Sequence, residues 1–202
     1  MKTSKFEREC SLVNRLLDRW HPDFGPRDFT DPNSLEESGA DVELMLDNER
    51  IGIQVTELDN GLKPGLARGS EKIQAKTANG PGGAYFNWGP SKEAAIAAIQ
   101  RAVRRKTMHT PSGFVENWLL ISADVPEHGS VYSTSMCSIF LTSNDLDAAT
   151  NNILASSAYD RVFLHPILAP DRAIFGWLKS SGVWSEHRNL PEGPTLSEIL
   201  GK

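Results

Sequence analysis

ESGADVELMLDNERIGIQVTELD, residues 37–59 of the 202-residue chain, holds two short alternating segments joined by a run of turn formers. In the first, Ala40, Val42, Leu44 and Leu46 fall on one side and Asp41, Glu43 and Met45 on the other, the period-2 pattern of a half-buried strand. In the second, Ile51, Ile53 and Val55 alternate with Gly52, Gln54 and Thr56. With Asp47-Asn48-Glu49-Arg50 as the turn, the two segments form an antiparallel hairpin whose polar faces lie side by side, and Asp41 and Gln54 become neighbours. A carboxylate and further oxygen ligands on adjoining strands are what a hard cation such as Mg²⁺ requires. A sheet with one wet face shows the same alternation, so the neighbouring elements have to decide between ligand set and solvated surface.

Working outward, residues Lys5 to Trp20 carry Phe6, Cys10, Val13, Leu16, Leu17 and Trp20 at helical spacing. Glu9 falls inside that apolar sector, where a carboxylate either sits at the edge and reaches water or is paired or coordinated. The run His21 to Ser34 has the Pro, Gly and Asp content of a connection. Asn60 to Pro90 reads as a long irregular segment in which GSEKIQAKTA has helical character and NGPGGAYFNWGP is glycine-rich without the Lys of a phosphate-binding loop.

Ser91 opens a second helix that runs towards Pro111, with Glu93 near its start and Ile96, Ile99, Ala102 and Val103 as its stripe. Lys106 continues the stripe inward, while Arg101, Arg104 and Arg105 spread towards solvent. An inward Lys106 is either a snorkelling lysine near a helix end or a functional cation. Asn117 to Ser122 is a short apolar run of the kind covered on both faces, a helix follows over about Asn144 to Ser157, and Arg161–Leu164 and Ala173–Leu178 are strand-like. The expected order is helix, hairpin, helix, strand, helix, strand, strand.

Composition frames these elements. Length and a hydrophobic content of 39 % suit a single α/β domain over residues 1–202. No apolar run is long enough for a membrane span and the charged N-terminus is unlike a signal peptide, so a cytoplasmic protein without membrane partners is expected. Two cysteines, Cys10 and Cys137, give neither a disulfide framework nor a zinc spacing. A formal net charge of −5 argues against nonspecific coating of nucleic acid, yet Arg101, Arg104, Arg105 and Lys106 make a local basic cluster. His109, His165 and His187 sit in no metal or nucleophile motif.

Taken in order, Glu9 on a first helix, Asp41 and the Gln54-Val55-Thr56 tripeptide on a hairpin, a helix ending near Lys106 and the strand Trp118 to Ser122 resemble the PD-(D/E)xK, restriction-endonuclease-like nuclease superfamily. The resemblance spans roughly Lys5 to Leu164, with IGIQVTEL as its most specific stretch. Ala40 stands in place of the motif proline, Gln54 in place of Asp or Glu, and Thr56 in place of the lysine. The resemblance implies a three-layer core with a mixed central sheet flanked by helices, and a nuclease that hydrolyses DNA or RNA with Mg²⁺ or Mn²⁺. It assigns Asp41 and Gln54 as metal ligands, Glu9 as outer ligand or water-holder, Lys106 as a migrated lysine that orients the attacking water, and Arg101, Arg104 and Arg105 as phosphate contacts. Neutral Gln54 weakens such a metal site and favours the alternative, a noncatalytic binding or regulatory module on the same scaffold.

Overall fold

The computed structural model describes residues 4–20, 27–32, 39–46, 48–58, 92–122, 124–125, 134–135, 141–165 and 174–187. The expected glycine-rich segment, the GSEKIQAKTA helix, Cys137 and the chain beyond residue 187 lie outside them. The elements in chain order are α1 (Lys5–Trp20), β1 (Asp28–Thr30), β2 (Val42–Leu46), β3 (Glu49–Glu57), α2 (Lys92–Thr107), β4 (Glu116–Ser122), β5 (Asp124–Val125), β6 (Thr134–Ser135), α3 (Ser143–Leu154), β7 (Arg161–His165), β8 (Ile174–Leu178) and β9 (Val183–His187). Among the described residues no helix is long and apolar enough to cross a membrane.

Seven strands form one mixed sheet in the order β1-β2-β3-β4-β7-β8-β9, and β5 and β6 form a separate two-stranded ribbon. The expected hairpin is β2 and β3, paired antiparallel from Val42↔Ile53 to Leu46↔Glu49. The pairing reaches Glu49 and Arg50, which the sequence reading placed in the turn, and Asn48 has φ 67° in the left-handed region that asparagine tolerates. β4 lies parallel to β3 and to β7, and β8 and β9 continue the sheet antiparallel.

The central apolar run has a physical reason. Trp118 and Leu120 pack with Val13, Leu16 and Leu17 of α1 on one face, while Leu119 and Ile121 pack with Ala98, Ile99, Ala102 and Val103 of α2 and with Leu146 and Leu154 of α3 on the other. A strand covered on both faces has no polar side, which is why its sequence does not alternate. The fold is therefore α/β, with a mixed sheet between α1 and the pair α2 and α3.

Two helix N-termini are fixed by reciprocal caps. At α1 the Ser4 hydroxyl accepts from the Glu7 amide (3.1 Å) and the Glu7 carboxylate accepts from the Ser4 amide (2.8 Å). At α3, Thr142 and Asp145 do the same, and Asp145 also pairs with Lys92 at 2.7 Å, tying α3 to the start of α2. Those partners, Lys92 first, hold the Asp145 carboxyl at about 2.

Three expectations are corrected. The polar face of the hairpin is not wet: Glu43, Gln54 and Thr56 are at most 7 % exposed, because β3 is an inner strand and the end of α2 and the chain after it lie over that face. Within the run read as a connection, Asp28–Thr30 adds an edge strand to β2. After Leu178, where the expected order of elements ends, Val183–His187 closes the other edge on β8. Both are edge strands: Asp28–Thr30 is too short to show a period, and Val183–His187 (VWSEH) has no run of alternating apolar residues.

Candidate functional site

The first turn of α1 and the last turn of α2 approach the hairpin from its two faces and meet at Asp41, beside a cleft of about 500 Å³. Asp41 lies one residue before β2, where its amide donates to the Ile53 carbonyl at 2.9 Å and so continues the hairpin register to a position opposite Gln54. Its Oδ2 accepts from the Val55 amide (2.9 Å) and from Lys106 Nζ (3.1 Å), and its Oδ1 accepts from Lys5 Nζ (3.1 Å). Burial alone would raise this carboxyl; the Val55 amide and the two lysines outweigh it and hold Asp41 below the ordinary aspartate value.

Glu9, one helical turn after Lys5, is 5 % exposed and lies with its Oε1 3.4 Å from Lys5 Nζ. Burial first and the Asp41 charge second raise its carboxyl above the ordinary glutamate value, with Lys5 opposing. Two carboxylates of opposite tendency thus share one ammonium, which is itself raised by its hydrogen bond to Asp41.

Gln54 is the brace of the site. Its Nε2 donates to the Gly39 carbonyl (2.6 Å) and to the His109 carbonyl (2.6 Å), and its Oε1 accepts from the Tyr159 hydroxyl. Gly39, at φ +75°, turns its carbonyl to this amide in a conformation suited to glycine. The Tyr159 hydroxyl also lies 3.1 Å from the Lys106 carbonyl, so one amide fixes the chain before β2, the end of α2 and the approach to β7. Burial and the Asp41 charge push the Tyr159 phenol upward, which keeps it a donor.

Of the residues expected from sequence, Glu9, Asp41, Gln54 and Lys106 all line this cleft. Arg101 and Arg104 are exposed on α2 as expected. Arg105 is exposed with them, and its guanidinium also donates to the Thr56 hydroxyl at 2.9 Å, beside the position where the resemblance lacks its lysine. Glu57, at the end of β3, also lines the cleft and pairs with Arg8 at 3.5 Å.

Sequence reasoning missed Lys5, Arg8 and Tyr159. Lys5 had a signal, its i,i+4 spacing to the misfit Glu9. Tyr159 had none, since it precedes β7 without periodicity and stands 105 residues from Gln54.

The histidines fall on separate elements. His109 borders the cleft and uses its backbone carbonyl there. His165 is fully buried with Nε2 3.3 Å from the Arg15 carbonyl, and burial pushes it down to about 4. His187 lies 2.9 Å from the Ser185 hydroxyl on β9.

Among the described residues no three His, Cys, Asp or Glu side chains gather into a ligand group. The donors that do converge are two carboxylates facing one cation position, now taken by Lys5. Such a pair fits a hard cation that completes its shell with water and substrate phosphate, and it does not fit the four-ligand requirement of structural zinc. The Gln54 oxygen serves Tyr159. No protein-family model, curated protein or solved structure matches the chain.

Proposed function

We propose that the chain is a metal-dependent nuclease of restriction-endonuclease-like fold, cleaving phosphodiester bonds in DNA or RNA. The observation that carries this reading is the meeting of Glu9 of α1, Asp41 just before β2 and Lys106 of α2 at one cleft edge. A mixed sheet with helices on both faces is in keeping with that fold.

Asp41 and Glu9 would hold Mg²⁺ or Mn²⁺, which when bound supplies phosphate polarisation and a lowered pKa for water. Lys106, held 3.1 Å from Asp41 and carried on a braced helix end, orients the attacking water and faces the charge that develops on the phosphate. Arg8 and Arg105 border the cleft, and Arg101, Arg104 and Arg105 make one exposed ridge at helical spacing that leads along α2 to it. Phosphates on either side of the scissile bond lie along that ridge, which positions the strand without reading its sequence. Gln54 touches no substrate in this scheme; it sets the distance between Asp41 and Lys106.

The test is cleavage of labelled single- and double-stranded DNA and RNA with Mg²⁺ or Mn²⁺. Wild type cleaves, and Asp41→Ala and Lys106→Ala each lose on the order of 100-fold or more in rate. Cleavage that survives both substitutions overturns the assignment.

One feature favours a second reading, a noncatalytic nucleic-acid-binding module: Asp41 is already flanked by two ammonium groups and Gln54 is spent on its brace. That reading expects no cleavage by folded wild type and salt-sensitive binding that falls in an Arg101→Ala, Arg104→Ala, Arg105→Ala triple variant.

A further inference from the structure

We infer that Lys5 is a tethered counter-ion that occupies the divalent-cation position of the cleft and must swing out before the cation enters. The inference rests on the metal reading above and assigns that site a built-in competitor. Its warrant is the different way the two lysines meet the same carboxylate. Lys106 shares Oδ2 of Asp41 with the Val55 amide, and its side chain is only 20 % exposed at the end of a helix braced by Gln54 and Tyr159. It is fixed in place.

Lys5 is the converse. Its side chain is 68 % exposed, it comes from the first residue of α1, and its ammonium alone bridges Oδ1 of Asp41 (3.1 Å) and Oε1 of Glu9 (3.4 Å). The capping box at Ser4 and Glu7 fixes the backbone of that first turn, so the four-carbon stem is the part able to move. The two oxygens are therefore bridged by an ammonium on a largely exposed stem.

The charges show what this does. Asp41 and Glu9 carry two negative charges against the two positive charges of Lys5 and Lys106. Among these four groups the charges cancel with Lys5 in place and leave one net negative charge after it swings out, so its departure makes the carboxylate pair more attractive to a divalent cation by one unit charge. The displaced ammonium stays within a stem's length of the cleft, where a substrate phosphate is its natural partner. Cation and substrate then favour the same outward position of Lys5, and each tightens the binding of the other.

The test is Mn²⁺ binding to the free protein, read from the electron paramagnetic resonance signal of unbound Mn²⁺, for wild type, Lys5→Met, Lys5→Arg and Asp41→Asn. The expected result is that Lys5→Met binds Mn²⁺ on the order of tenfold more tightly than wild type, as removal of a unit charge a few Å away requires. Lys5→Arg stays near wild type because the competing charge is kept, and Asp41→Asn abolishes the binding. Circular dichroism of each variant checks that the exposed substitution leaves the fold intact. Asp41-dependent binding of equal strength in wild type and Lys5→Met overturns the inference and leaves the metal reading standing. Absence of Asp41-dependent binding in both overturns the metal reading, and the inference with it.

Discussion

At the scale of single residues, the amide of Gln54 is what the site requires. The position offers two backbone carbonyls that need donors and one hydroxyl that needs an acceptor, and only a primary amide supplies both. A glutamate there, although it restores the superfamily pattern, would set a carboxylate against the Gly39 and His109 carbonyls at a site 4 % exposed. Gln54→Glu is expected to lose on the order of 3 kcal/mol of stability at pH 7 in urea denaturation, with part of the loss recovered as the pH falls and the buried acid protonates. An unchanged urea midpoint at pH 7 would refute the brace. The identity of Gln54 was legible in the sequence as a departure from a pattern; the reason for it was not, because its three partners lie on segments that no local spacing connects.

At the scale of elements, the fold was read most fully where a period exists. α1 begins and ends where its stripe does, and α2, β4 and β7 lie within a few residues of their expected bounds. β1 and β9, which have no period to read, went unseen, and so did the covering of the hairpin's polar face. Phe114 explains part of that covering. Its ring lies over Gly52, where an added Cβ would come within 2.3 Å of Cδ2, and Arg50 stacks on the ring with its guanidinium 5.3 Å from the centroid while pairing with the buried Glu43. Glycine at position 52 thus permits the ring to close the face, and Arg50 offsets the burial of Glu43 across the hairpin. Gly52→Ala is expected to cost about 1–3 kcal/mol in thermal or urea unfolding. In a Phe114→Ala background the same substitution should cost clearly less, and a double-mutant cycle measures the difference. Additive losses would mean that the ring and the glycine are not coupled.

At the scale of the whole molecule, His165 links stability to pH. It lies at the end of β7 with no exposure, and its Nδ1 has no hydrogen-bond partner among the described residues. Its folded value is depressed from 6.5 to about 4. The neutral ring therefore supports the fold at neutral pH, the unfolded chain takes up the proton first, and stability is lost as pH falls from about 6.5 through about 4. The loss is on the order of 3 kcal/mol. Urea denaturation at a series of pH values should show that slope in wild type and not in His165→Asn; an equal slope in both would assign it elsewhere.

The same sheet that buries His165 also governs when the cleft can exist. Lys5 and Asp41 are 36 residues apart, Asp41 and Lys106 are 65 apart, and Gln54 waits a further 105 residues for the hydroxyl of Tyr159. The inner strands β3, β4 and β7 pair in parallel across these separations, so none of them completes its ladder before the next has been made. A chain cut before Tyr159 carries every acidic and basic group of the cleft but lacks the hydroxyl that meets Gln54 and the strand β7 that pairs with β4. The charged groups of the cleft thus all precede in the chain the residue that completes their brace.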